Sequence, residues 1–340
     1  EKNIRQVVPY VPGEQPAGDK IVKLNTNENP YPPAPGVKKV LEEMEADRLR
    51  KYPDPTASIL VKELASYYGL NEDQVFVGVG SDDVLAMSFL TFFNSDKPVL
   101  FPDVTYSFYK VWADLFKVPF ETPVLKEDFT IDVKDYEKEN GGVIFPNPNA
   151  PTGVYMPLDQ VEEILKANQD VVVIVDEAYV DFAGPSALEL LDKYENLLVV
   201  QTFSKSRSMA GMRIGFAMGH PDLIRALNDV KYSYNSYTMN LPSLLAGVEA
   251  VKDKEYFEKT IEKIVATREH AKKRLTELGF TFPNSQSNFI FASHKSVPAE
   301  KIFEALKKEQ IYVRYFKTPG LDNSLRISIG TDEEMDTLFR

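Results

Sequence analysis

This 340-residue chain sets a lysine among hydroxyl side chains, with an arginine eight positions further on, in Thr202-Phe-Ser-Lys-Ser-Arg-Ser-Met-Ala-Gly-Met-Arg213. The Lys205 amine is a nucleophile able to form a Schiff base, while Ser204 and the planar donor fork of Arg213 suit a phosphate. A solvated basic loop is the plain alternative. A carboxylate pair, Asp176-Glu177, closes the apolar run Val171-Val-Val-Ile-Val175, with Tyr179 two residues beyond. A carboxylate at the end of such a strand carries a heavy desolvation penalty unless a cation faces it. A protonated pyridine nitrogen is one such cation, and capping of backbone N–H groups is the common alternative use of the carboxylate. The Tyr179 hydroxyl is close enough in sequence to reach the same ligand.

Two glycine-bearing turns complete the set. In Asn147-Pro-Asn-Ala-Pro-Thr-Gly153 two prolines and a glycine make a stiff turn that could present the Asn149 amide to a ligand oxygen, or serve as a turn alone. In Gly78-Val-Gly-Ser-Asp-Asp83 the glycines permit close backbone approach. Ser81 is placed to cap a helix whose first N–H groups would bind a phosphate. The lysine of a Walker A loop is missing, so this segment reads equally as a strand–turn–helix junction.

These clusters follow apolar runs. Gln74–Val77, Pro98–Phe101, Gly142–Phe145, Val171–Val175, Leu197–Phe203 and Arg213–Met218 alternate with helical patterns, which predicts βαβ units and a mostly parallel sheet. The run at Val171–Val175 is apolar on both faces, as befits a central strand covered on each side. Ligands of such sheets sit beyond the carboxyl ends of the strands, where all four clusters fall. A charge-rich helical pattern follows from Ser243 to Leu278. Short strand-like runs at Asn288–Ala292, Ile311–Arg314 and Leu325–Ile329 then surround a helix near Pro298–Gln310, which predicts a smaller α+β domain. The expected division is an arm over residues 1–29, a large domain over 30–242 and a small domain over 243–340.

Composition narrows the function classes. A net charge of −12 opposes nonspecific binding to nucleic acid or anionic membrane, so any anionic ligand needs local arginine, lysine or backbone N–H groups. There is no cysteine, which excludes disulfides, thiolate metal sites and a cysteine nucleophile and fits a cytoplasmic protein. His220, His270 and His294 lie far apart, so no histidine-rich metal site is expected. No apolar run is long enough to cross a bilayer.

Together the clusters resemble the fold type I family of pyridoxal-phosphate enzymes, in which an NPxxPTG turn, a DEAY strand end and an SK loop with a downstream arginine occur in this order. The resemblance spans most of the chain. It implies an α/β fold, a sheet of about seven strands flanked by helices, and pyridoxal 5'-phosphate as cofactor. Lys205 would then be the Schiff-base lysine, Asp176 the partner of the pyridine nitrogen, and Tyr179 and Asn149 the contacts of the ring hydroxyl. The phosphate would rest on Ser204, Arg213 and the Ser81–Asp82 turn, with Tyr106 stacked on the ring.

Further segments, Val8-Pro-Tyr-Val-Pro-Gly13, Leu24-Asn-Thr-Asn-Glu-Asn-Pro-Tyr31, Lys51-Tyr-Pro-Asp54 and Leu325-Arg-Ile-Ser-Ile-Gly330, resemble the histidinol-phosphate aminotransferases. That likeness implies that Arg326 grips a substrate carboxylate and that Arg314 and Tyr10 contact a substrate phosphate. Asn25 joins the substrate site, and Tyr52 reaches the cofactor phosphate of a neighbouring subunit, so a homodimer with shared active sites is expected. The family usually reads GNGSDE where this chain has Gly78-Val-Gly-Ser-Asp-Asp83. Val79 therefore removes one side-chain amide beside a turn whose backbone does most of the binding. An aromatic amino acid aminotransferase, a threonine-phosphate decarboxylase and a non-catalytic cofactor-binding regulator remain as alternative functions.

Overall fold

Val171-Val-Val-Ile-Val175 supplies the strand at the middle of the main sheet, although its first two residues stay in the turn before it and the strand itself runs Val173–Asp176. The computed structural model describes residues 2–18 and 20–340. The opening arm is extended and ends in a short strand, β1 (Val22–Leu24). Helices α1 (Pro35–Glu43) and α2 (Ser58–Tyr68) precede β2 (Val75–Gly78) and α3 (Ser81–Phe92). Next come β3 (Val99–Leu100), α4 (Phe108–Phe116), β4 (Phe120–Glu121), β5 (Gly142–Pro146) and α5 (Leu158–Ala167). Then follow β6 (Val173–Asp176), β7 (Leu197–Thr202), β8 (Gly215–Gly219) and α6 (Pro221–Tyr234).

These strands form one seven-stranded sheet in the order β2-β8-β7-β6-β5-β3-β4, parallel except for β8. The pleat sends alternate side chains to opposite faces. Val173 and Val175 enter one core with α1, α2 and α5, while Ile174 enters the other with α3, α4 and α6. That double burial is why the run is apolar throughout. The edge strand β4 has only two residues, too few for an alternation to register.

The remaining elements are α7 (Leu241–Lys252), α8 (Lys254–Glu277), β9 (Phe280–Thr281), β10 (Phe289–His294), α9 (Ala299–Lys308), β11 (Ile311–Tyr315), β12 (Leu325–Ser328) and α10 (Asp332–Leu338). The single helical pattern expected from Ser243 to Leu278 is thus two helices, broken at Asp253. The Asp253 carboxylate accepts the Tyr256 N–H at 3.1 Å and starts the second helix as its N-cap. Leu244, Ala246 and Ala250 of α7 join the core under the large sheet. Ile264, Ala271 and Leu275 of α8 pack instead against a second, five-stranded sheet in the order β1-β11-β12-β10-β9. Within it β1 pairs in parallel with β11, Val22 opposite Ile311, so the end of the arm is a strand of the small domain's sheet.

Candidate active site

The carboxyl ends of β2, β5, β6 and β7 open onto a cavity of about 680 Å³, whose far wall comes from β11, β12 and the arm. Lys205, Asp176, Tyr179, Arg213, Arg314 and Arg326 all line it. The lysine lies on the excursion between β7 and β8, which are antiparallel neighbours. The chain therefore leaves and re-enters the sheet at the same end and carries Lys205 over the strand ends. Asn29 holds that loop by donating its amide to the carbonyls of Lys205 and Ser206, at 3.1 and 3.2 Å.

Lys205 Nζ donates to the Thr26 carbonyl at 3.1 Å and lies 5.9 Å from the centre of the Tyr179 ring. Among the described residues no carboxylate forms an ion pair with it. Asp176 is only 4% exposed. Burial pushes its pKa up to about 6, against the pull of the Tyr109 hydroxyl and the Ala178 N–H. No cation pairs with this carboxylate among the described residues. Tyr109 was not picked out by sequence. It belongs to the aromatic-rich helix α4 (Phe108–Phe116), and the available signal was the run of aromatic residues that follows Tyr106 directly. The Tyr179 hydroxyl accepts from Asn27 Nδ2 at 3.0 Å, and its ring stands edge-on to Phe289.

At one end of the cavity, two glycines let three segments meet. Gly80 has φ +84°, and a Cβ there would lie 2.6 Å from Arg213 Nη2. A Cβ on Gly215 would lie 2.3 Å from both the Gly80 carbonyl carbon and the Ser81 nitrogen. Gly80, not Ser81, takes the cap position of α3, because Ser81 is already the first residue of the helix. The N–H groups of Ser81 and Asp82 sit in the first helical turn, where no intrahelical acceptor exists. Arg213 donates to the Ala210 carbonyl at 3.1 Å and lies 3.5 Å from Ser204 Oγ. Behind this turn, the Val79 N–H is held by Asp83 Oδ2 at 3.0 Å. Tyr106 lines the cavity and donates to Asp82 Oδ1 at 2.9 Å. Burial, and then the Asp82 charge, hold its phenol well above the ordinary range.

Asn149 is buried behind Ala150 and Pro151, which form the wall itself. Its amide donates to the Val104 carbonyl at 2.9 Å and accepts from Thr105 at 3.0 Å, so it fastens the segment that bears Tyr106.

On the opposite wall Arg314 and Arg326 are direct register partners across β11 and β12, which puts both on one face. Arg326 Nη2 donates to the Asn25 carbonyl at 3.0 Å, whereas its Nε is buried without a hydrogen-bond partner among the described residues. Burial draws the Arg326 pKa down. Arg314 donates to the Val11 and Pro12 carbonyls at 3.2 and 3.3 Å and so pins the arm. Phe316, unmarked in the sequence, lies 5.4 Å from one guanidinium and 5.6 Å from the other. Tyr10 reaches the cavity from the arm and stacks on Phe108 at 4.2 Å. The side chain of Asn25 turns away and donates to the Glu14 carbonyl at 2.7 Å. Tyr52 is the residue not brought in: it lies outside the cavity, 81% exposed, with its ring 4.5 Å from that of Tyr237.

Comparisons with known proteins point to one family. The model of the family described as aminotransferase class I and II matches residues 19–340. The histidinol-phosphate aminotransferase of Brachyspira hyodysenteriae is 53% identical over 98% of this chain and 94% of its own length. That of Clostridium acetobutylicum is also 53% identical, over 98% of this chain and 95% of its own length. Among solved structures, the histidinol-phosphate aminotransferase of Sinorhizobium meliloti in complex with pyridoxal-5'-phosphate superposes with a TM-score of 0.86. It is 25% identical, covering 94% of this chain and 89% of that one. With half its residues shared along nearly its whole length, the chain belongs to the histidinol-phosphate aminotransferase family of the class I and II aminotransferases.

Proposed function

We propose that this chain exchanges an amino group between glutamate and imidazole-acetol phosphate, yielding histidinol phosphate and 2-oxoglutarate in histidine biosynthesis. Its cofactor is pyridoxal 5'-phosphate, which when bound supplies an electron sink for the pair left as the substrate Cα–H bond breaks. The residues present fit that group. Asp176 is a buried carboxylate lacking the cation that a protonated ring nitrogen would provide. The Gly80 turn, the first N–H groups of α3 and Arg213 make a cradle for a phosphate. Lys205 carries an amine that no carboxylate among the described residues holds in an ion pair.

In this reading Lys205 Nζ would hold the cofactor as its amine partner and, once freed by the incoming amine, would be the base that takes the substrate Cα proton and returns it. Asp176 would keep the ring nitrogen protonated, Tyr179 would address the ring oxygen, Tyr106, fastened through Asn149, would cover the ring, and Ser81, Asp82, Ser204 and Arg213 would hold the phosphate. The observation that carries the substrate assignment is the pair of arginines on one wall, facing Lys205. Arg326 offers an unpaired, buried Nε to a carboxylate, and Arg314, with Tyr10, offers a second anion site to a phosphate. Asn25 supports the first of these through its backbone carbonyl.

The exposed contact of Tyr52 with Tyr237, with the 74% exposed Tyr234 nearby in sequence, supports a homodimer in which Tyr52 completes the partner's phosphate site. The expected setting is the cytoplasm. No helix among the described residues is long and apolar enough to cross a membrane.

The test compares kcat/KM for histidinol phosphate, tyrosine and phenylalanine with 2-oxoglutarate as acceptor. The phosphate ester should be preferred, and Arg314→Ala should lower its use selectively. Equal use of tyrosine would reassign the enzyme to aromatic amino acids. Lys205→Ala should abolish turnover while cofactor still binds noncovalently, and sedimentation of the wild type should give a dimer.

A further inference from the structure

We infer that Asn27 is a positioning residue that directs the Tyr179 hydroxyl proton into the cavity and ties this hydroxyl to the strand carrying Arg326. The inference deepens the function proposed above and rests on it.

Asn27 is 1% exposed and has a left-handed backbone, φ +56°, a conformation asparagine tolerates better than most residues. Each of its polar groups has a partner. Its N–H donates to Ser328 Oγ at 2.9 Å, its carbonyl accepts from Asn288 Nδ2 at 2.9 Å, and its Oδ1 accepts from Ser328 Oγ at 3.1 Å. Its Nδ2 donates to the Tyr179 hydroxyl at 3.0 Å.

These bonds settle the direction of the last one. Ser328 Oγ accepts the Asn27 N–H and has one proton to give, and the Asn27 side-chain atom 3.1 Å away is the acceptor that satisfies it, so that atom is the amide oxygen. The other end of the amide is therefore NH₂, which can only donate to Tyr179. A phenol oxygen that accepts there must send its own proton elsewhere. No protein acceptor takes that proton among the described residues, and the Tyr179 ring lines the cavity. Asn27 thus turns Tyr179 into a donor pointed at whatever oxygen occupies the site.

The same segment links the two walls. Arg326 and Ser328 are two residues apart on β12, so they face one side of the strand, and they grip Asn25 and Asn27 respectively. Between them, the Thr26 carbonyl faces Lys205 Nζ. A shift of β12 on carboxylate binding at Arg326 would reach both Tyr179 and Lys205 through three consecutive residues.

The experiment uses full-length wild type, Asn27→Gly, Asn27→Asp, Tyr179→Phe and the Asn27→Gly/Tyr179→Phe double variant, each loaded with pyridoxal 5'-phosphate. The pH midpoint of the bound cofactor's visible absorption band is followed, together with thermal stability. Glycine keeps the left-handed backbone and removes the donor, while aspartate keeps the shape and replaces the donor by an acceptor. Loss of a donated hydrogen bond at the ring oxygen raises the midpoint. An upward shift of roughly 0.5 to 1 unit is expected in both Asn27 variants, in the same direction as Tyr179→Phe. In the Tyr179→Phe background the Asn27→Gly change should add nothing, as expected of two groups acting through one bond. An unmoved midpoint in Asn27→Asp, or full additivity in the double variant, would overturn the inference even if stability fell. If Asn27→Gly does not fold, Asn27→Asp decides alone. A wild type with no cofactor band would instead overturn the proposed function, and this inference with it.

Discussion

The Tyr109 hydroxyl donates to Asp176 Oδ2 at 2.6 Å, across the junction between α4 and the end of β6. The bond opposes the burial that pushes Asp176 up to about 6 and favours the ionised carboxylate needed beside a cationic ring nitrogen. A hydrogen bond to a charged group contributes about 1.5–3 kcal/mol. Tyr109→Phe should therefore weaken cofactor binding or lower kcat by roughly tenfold or more, with the larger deficit at the acid end of the pH profile. An unchanged profile would show that Asp176 does not need this donor.

Asp176 also predicts how the cofactor-free protein responds to pH. A carboxyl whose pKa rises on folding holds its proton more tightly in the folded chain. Its contribution to stability is complete below the ordinary 3.8 and is lost as pH rises through about 6. Asp176→Asn should accordingly be more stable than wild type at pH 8, by up to about 3 kcal/mol for a shift of about two units. The two proteins should converge near pH 4. Glu177, pushed up to about 7 by burial, gives both proteins a trend of the same sign, so the difference between them isolates Asp176. Denaturant melts of the cofactor-free forms at the two pH values check this.

Arg326→Lys should raise KM for glutamate about 10- to 100-fold, because an ammonium cannot make the paired donation of a guanidinium fork. The buried, unpartnered Nε is the group whose contact would be lost. Steady-state kinetics on glutamate measure the effect, and a KM unchanged by the substitution would remove Arg326 from the carboxylate site.

Gly80→Ala should loosen the cofactor as well as lower the stability of the fold. The added Cβ would meet Arg213 Nη2 at 2.6 Å, and φ +84° is strained for any side chain. The backbone strain alone costs about 1–2 kcal/mol, and Arg213 must also move. Equilibrium dialysis of pyridoxal 5'-phosphate should show at least a tenfold weaker Kd, roughly 1.4 kcal/mol. A variant that binds as tightly as wild type would separate this turn from the phosphate site.

Much of the site was legible because its chemistry lies in short segments directly after apolar strands. The run at Val171–Val175 announced a strand covered on both faces, and Asp176 had to fall at its end. The order of the Asn147, Asp176 and Lys205 segments then turned three ambiguous clusters into one joint signal. The break at Asp253 was not legible, since helical periodicity continues across it and only the cap bond to Tyr256 marks the new start. The β1 strand was hidden in an arm rich in proline and glycine because its partner, β11, lies almost 300 residues away.

The amino-acid sequence by itself determined which groups this protein has to work with: an amine, a strand-end carboxylate, glycines where a backbone must come close, and arginines for anions. Local patterning carries that information because periodicity and turn chemistry act over a few residues. Only the tertiary structure decided which of these groups face one another. It placed Tyr109 on Asp176, Asn27 on Tyr179, and Arg314 beside Arg326 across two strands. Each pairing depends on register and packing between distant segments, which no short stretch of sequence contains.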